Sequence, residues 1–233
     1  MRIDEVFAIN NIVNKQKYDS PDTEYQIFGT KNLSSRNNIP SYFSEPKYLE
    51  LKELVMKYDL SENFILNSEK LNFASKCRNS FIEKFGILKS SSMQDLVLNP
   101  LSPNYDMALN DNINKMRKEC REESDYSKSL KIRMKERKIG NCTDIALVTA
   151  DDINQKQDKY KAKLVYASIV NDNMISNHVA VFVKDKKESN GLNSESIILD
   201  NWLGGIFKYS DWLKIVKKIY KSNDVRTYIE NNQ

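Results

Sequence analysis

A single histidine, His178, serves all 233 residues, and that scarcity removes most metal chemistry from consideration. No HExxH or CxxC spacing occurs, so neither a zinc-protease helix nor a zinc ribbon is encoded. The reading therefore assigns no metal and no cofactor. Cysteine is sparse as well. Cys77, Cys120 and Cys142 make an odd count without the spacing of a disulfide framework, which predicts work in reducing surroundings. No run approaches the roughly 18 apolar residues of a membrane span. The start, Met1-Arg2-Ile3-Asp4-Glu5, carries acids where a cleaved signal peptide needs a basic start and an apolar stretch. That predicts either a cytoplasmic protein or export by a specialised secretion machine. A large charge excess is also lacking: 36 basic against 32 acidic residues leave a formal +4. With no basic tract interleaved with aromatics, the chain is not expected to bind nucleic acid. No internal repeat is evident.

What is present divides the chain into three stretches. Residues 1–45 are rich in Asn, Ser, Asp and Tyr and are broken by Pro21 and Pro40, which predicts an irregular arm. Residues 46–139 read as helical. Tyr48, Leu51, Leu54, Val55 and Tyr58 recur at threes and fours after Pro46, and a second helix over 69–85 ends at Gly86. Lys89 to Tyr105 reads as loop, and 108–138 as a strongly polar helical stretch. Residues 140–233 change character. A helix begins at Gly140-Asn141-Cys142, and strands follow over 163–170, 178–183 and 196–202. An amphipathic helix over 210–221 closes the region. The expected fold class is α+β, with a catalytic helix packed on a small antiparallel sheet and joined to 46–139 in one compact unit.

Three residues in the last stretch carry chemistry. Cys142 falls in the first turn of its helix, with Asn141 as N-cap and Asp144 at the third position. The positive pole of a helix favours a thiolate there, although Asp144 opposes it, and the Cys142 N–H offers one oxyanion donor. His178 opens the most apolar strand, where an imidazole beside a thiol can hold its proton and pass it to a leaving group. Asp200 ends the next strand, in reach of the far imidazole nitrogen, and Trp202 is placed to shield that bond and border the substrate. Each has a plainer use: small filler for a cysteine, structural partner for a histidine, turn former for an aspartate. Their joint occurrence, in this order and on these elements, favours catalysis. Cys77 and Cys120, set among charged helix residues, are assigned to structure.

The pieces Gly140-Asn141-Cys142-Thr143-Asp144-Ile145-Ala146, Asn177-His178-Val179 and Leu199-Asp200-Asn201-Trp202 resemble the papain-like and transglutaminase-like cysteine enzymes found among bacterial secreted effectors. The resemblance covers about 140–212. It implies a Cys-His-Asp triad, a thioacyl intermediate, and proteolysis, glutamine deamidation or transglutamination of a host protein. Asn201 departs from the proline commoner in the family, and no upstream glutamine offers a second oxyanion donor. An arylamine-type acetyltransferase shares the triad order but would have a basic, glycine-rich lead-in that is missing before Cys142. A non-catalytic binding module on the same fold is the other alternative. The basic run Lys128, Lys131, Arg133, Lys135, Arg137 and Lys138 reads as a solvated helix face, with docking to an acidic protein or anionic membrane as its functional alternative. The stripe Trp212, Leu213, Val216 and Tyr220 reads as core.

Overall fold

A computed structural model of the chain describes residues 53–61, 68–86, 88, 107–156, 159–171, 174–220 and 222–230. The expected irregular arm at 1–45 and the loop from Lys89 to Tyr105 lie outside them. Of the helix expected after Pro46, 53–58 is described and is helical.

The chain is mixed α and β. Helix α1 spans Glu69–Phe85, as its periodicity predicts, and stops because Gly86 takes φ 65° while its N–H returns to the Ile82 carbonyl. The polar stretch that follows is two helices rather than one: α2 (Met107–Arg121) and α3 (Tyr126–Arg137). The break is chemical. Asp125 accepts the Lys128 N–H at 3.0 Å and starts a new helix where the old one could have continued. Helix α4 (Cys142–Lys156) then leads into β1 (Tyr160–Asn171), β2 (Met174–Asp185), β3 (Ile197–Asp200), β4 (Gly205–Lys208), α5 (Tyr209–Tyr220) and β5 (Val225–Ile229). The strands form one five-stranded antiparallel sheet in the order β4-β3-β2-β1-β5.

Side chains alternate across a strand, so the sheet buries two different sets. Val165, Ala167, Ile169, Ala180, Phe182, Ile198 and Phe207 cluster with Trp212, Ile215, Val216 and Ile219 of α5. Leu164, Tyr166, Val179, Val181, Val183, Leu199 and Ile206 cluster with Ala146, Ala150 and Ile153 of α4 and Ala74 of α1. Both faces are covered, which is why β2 reads as a nearly unbroken apolar run. The helices add their own packing through Phe85, Met116, Leu130, Met134, Ile145 and Val148.

The β4 edge is covered by 59–61. The Leu60 N–H donates to Ile206 O at 2.7 Å, and the Ile206 N–H donates to Asp59 Oδ1 at 2.9 Å. The basic run at 128–138 is largely paired within the fold. Lys131 pairs with Asp151 and Asp152, Arg133 with Glu119 and Glu123, Arg137 with Glu119, and Lys138 donates to Phe85 O; Lys128, Lys135, Arg137 and Lys138 are exposed. No described helix is long and apolar enough to cross a membrane.

Candidate active site

The N-terminus of α4 is built by a reciprocal cap. Asn141 Oδ1 accepts the N–H groups of Thr143 (3.0 Å) and Asp144 (3.3 Å), and Asp144 Oδ2 accepts the Asn141 N–H at 3.0 Å. Cys142 is the first residue of the helix and half-buried. Asp144 is fully buried, and its charge is not left to act on the thiol alone. Arg117 of α2 donates Nε–H to Asp144 Oδ1 at 2.8 Å and an Nη2 proton to Asn141 Oδ1 at 2.6 Å. Removing one partner of such a buried pair costs about 3–5 kcal/mol.

Sheet register sets the other half of the site. Val181 pairs with Leu199 across β2 and β3, so the next step brings Asp200 level with Ala180, two residues along β2 from His178. Both side chains therefore point to the α5 face. His178 Nε2 and Asp200 Oδ2 are 2.7 Å apart, with both side chains essentially removed from solvent. Asp200 has every acceptor position used. Oδ1 takes the N–H groups of Trp202 (3.1 Å) and Leu203 (3.0 Å), and Oδ2 takes, besides His178, the Trp212 indole N–H at 2.8 Å. Its backbone carbonyl accepts the Gly204 N–H at 2.8 Å. One residue is thus both turn former and histidine partner. The turn also corrects the strand expected over 196–202: β3 ends at Asp200, and Trp202 lies in the turn. Its ring still packs on His178, with centroids 4.8 Å apart at 58°.

His178 Nδ1 makes no hydrogen bond of ordinary geometry among the described residues. The Cys142 thiol nevertheless lies close enough to act on the ring, and catalytic hydrogen bonds are commonly loose without substrate. Burial opposes charge on the imidazole, but Asp200 outweighs it and Cys142 adds in the same sense, so the His178 pKa is pushed from 6.5 up to about 10. The folded chain keeps a proton that the unfolded chain releases near 6.5, so this contribution is complete below 6.5 and is lost as pH climbs through about 10. Because the chain has one histidine, a single imidazole Cε1–H resonance reports it. That resonance should hold its protonated shift through neutral pH and move only near pH 10; an ordinary midpoint near 6.5 would mean the His178–Asp200 pair is not formed.

The structure thus joins His178 to Asp200, sets Cys142 at the capped helix end beside them, and lays Trp202 on the imidazole. Sequence reasoning did not find Arg117 and read Trp212 and Tyr220 as core alone, although the Tyr220 ring is 6.2 Å from that of His178. Among the described residues no group of three or more His, Cys, Asp and Glu side chains could hold a metal. Comparison with protein-family models, with curated proteins and with solved structures finds no match for this chain.

Proposed function

We propose that the protein is a thiol enzyme acting on protein amides through Cys142, His178 and Asp200, on a papain-like or transglutaminase-like core. The observation that carries this reading is the buried His178 Nε2–Asp200 Oδ2 bond of 2.7 Å, with Cys142 at a helix N-terminus acting on the same ring. Asp200 holds Nε2 as the donor, which leaves Nδ1 to exchange a proton with the thiol. The Cys142 thiolate attacks the amide carbonyl and the C–S bond forms. The carbonyl oxygen, briefly an oxyanion, is held by the Cys142 N–H. As the C–N bond breaks, the imidazolium gives its proton to the departing amine or ammonia and a thioacyl enzyme remains. Water or an amine, deprotonated by the imidazole, attacks that thioester, and the C–S bond breaks to restore the thiol. A peptide bond gives proteolysis, a glutamine side chain gives deamidation with water, and the same side chain gives transglutamination with an amine. A host protein reached by secretion is the substrate class that accords with the sequence resemblance.

The test is site-resolved alkylation by iodoacetamide at about pH 6.5, where an ordinary thiol is almost wholly protonated. Cys77 is the fair control, since it too is half-buried on a helix; Cys120 is buried, and burial pushes its thiol pKa up. Cys142 should react at least about tenfold faster than Cys77, and His178→Ala should remove most of that advantage. Equal labelling of Cys77 and Cys142 would overturn the proposal.

A further inference from the structure

We propose that Arg117 is a positioning residue of the thiol site, whose guanidinium cancels the Asp144 carboxylate so that the positive end of α4 acts on the Cys142 sulfur. The inference rests on the reading of Cys142 as nucleophile and adds the group that makes its electrostatics consistent. An aspartate in the first turn is ordinarily favourable to a helix, because it faces the positive pole. Here the same carboxylate lies two residues from the sulfur and is fully buried, where a negative charge would repel a forming thiolate strongly. The fold keeps Asp144 for the cap and neutralises it from outside. Arg117 comes from a different helix, is 7% exposed, and makes its two bonds to Asp144 and Asn141, the residues that build the cap. Asn141 Oδ1 therefore takes the guanidinium and two backbone N–H groups of the first turn together.

Among the described residues, Tyr126 of α3, Tyr166 of β1, Tyr220 of α5 and the Cys120 thiol of α2 surround the guanidinium, the Asp144 carboxylate or the Cys142 thiol, and burial raises the pKa of each, so they stay neutral at physiological pH. The charged groups at the cluster are then Asp144 and Asp200 against Arg117 and His178, with Arg121 beyond Tyr126. Burial opposes the charge on Arg117, but Asp144 prevails and Cys142 adds in the same sense, so the guanidinium stays charged throughout the working range. With His178 committed to Asp200, Arg117 is, among the described residues, the partner left for Asp144.

A strut that merely fastens α2 to α4 would affect melting temperature and leave the pH dependence of the thiol alone. The experiment follows the alkylation rate of Cys142 by iodoacetamide against pH, with the modified residue identified by mass spectrometry. Arg117→Gln should move the acid side of the profile upward by about one to two pH units, so that the rate near pH 6 falls about ten- to a hundredfold. Adding Asp144→Asn should return most of that loss, and Arg117→Lys should retain most of the wild-type profile. Arg117→Gln leaves a buried carboxylate unpaired and can unfold the protein, so a second comparison avoids that state. Asp144→Asn alone is set against Arg117→Met with Asp144→Asn, a neutral replacement of the kind buried pairs tolerate. Loss of the guanidinium in that background should move the profile upward by about one pH unit. Profiles that coincide within each comparison, whatever happens to melting temperature, would overturn the proposal. Wild-type Cys142 reacting no faster than Cys77 would instead overturn the nucleophile assignment, and this inference with it.

Discussion

Cys142→Ser should abolish acyl-enzyme formation and leave the melting temperature within a degree or two of wild type. The reporter need not be the natural substrate. A p-nitrophenyl ester releases nitrophenolate in a burst equal to the enzyme concentration when a nucleophile is acylated faster than it is freed. The wild type should give that burst, with an acyl mass on the peptide that contains Cys142. In Cys142→Ser the burst rate should drop by about 10⁴ or more, because a serine hydroxyl beside a largely protonated imidazole lacks a base strong enough to ionise it. Stability should barely change. Cys142 is half-buried at the edge of the core rather than within it, its helix is capped by Asn141 and Asp144, and the side-chain volumes are close. A burst that survives in the serine variant, or one that disappears together with the fold, would remove the case for Cys142 as the acylated atom.

Asp200→Asn should reduce the same reaction by about 10³–10⁴-fold, for a reason visible in the four bonds the carboxylate accepts. An amide has one accepting end. If its NH₂ replaces Oδ1, it confronts the N–H groups of Trp202 and Leu203, two donors that cannot change. If it replaces Oδ2, it confronts the Trp212 indole N–H and His178, and the imidazole can yield by moving its proton from Nε2 to Nδ1. The second arrangement is the cheaper, and it leaves an N–H where the thiol needs a base. In that arrangement Trp212 loses its acceptor, so a stability loss of about 1–3 kcal/mol accompanies the kinetic one. Differential scanning calorimetry should record a drop of several degrees with the transition still cooperative. The midpoint of the His178 imidazole resonance should fall from near pH 10 toward the ordinary imidazole range. Wild-type alkylation at neutral pH in this variant would show that Asp200 only makes the turn.

The local part of this site was readable in the chain. Asn141 before Cys142, with Asp144 three residues after the cap, is a pattern whose bonds stay within one turn, and it formed as spacing requires. Helix α1 and its Gly86 stop were equally local. His178 and Asp200 were legible because antiparallel neighbours on successive strands have few registers that bury both apolar faces. The parts that escaped depend on distant segments. Nothing near Arg117 marks it as the partner of Asp144, since it sits among charged residues and the contact spans α2 to α4. Trp212 fits an amphipathic stripe perfectly well, and the one polar atom of its indole turns out to matter as much as its bulk. Strands β4 and β5 were missed because four residues after a tight turn and five with alternating half-burial give little periodicity to read. The split of 108–138 into two helices hinged on a single aspartate, Asp125, that pattern counting does not weigh.

The cross-bracing of the cap has a consequence for how the protein comes into being. Ribosomes deliver α2 before α4 and α4 before α5, so Arg117 waits for its carboxylate, and Asp200 for its indole, until each later segment has emerged. A nascent chain that has displayed Cys142 still lacks the histidine, the orienting carboxylate and Trp212. Under the proposed triad, the sulfur would lack its base until β2 and its orienting carboxylate until β3 has emerged. By the same logic, a fragment opening at Gly140 would carry all three reactive side chains yet strand Asp144 in the interior without a counter-ion. Cys142, His178 and Asp200 lie in one half of the chain, but that half alone lacks the guanidinium that pairs with Asp144.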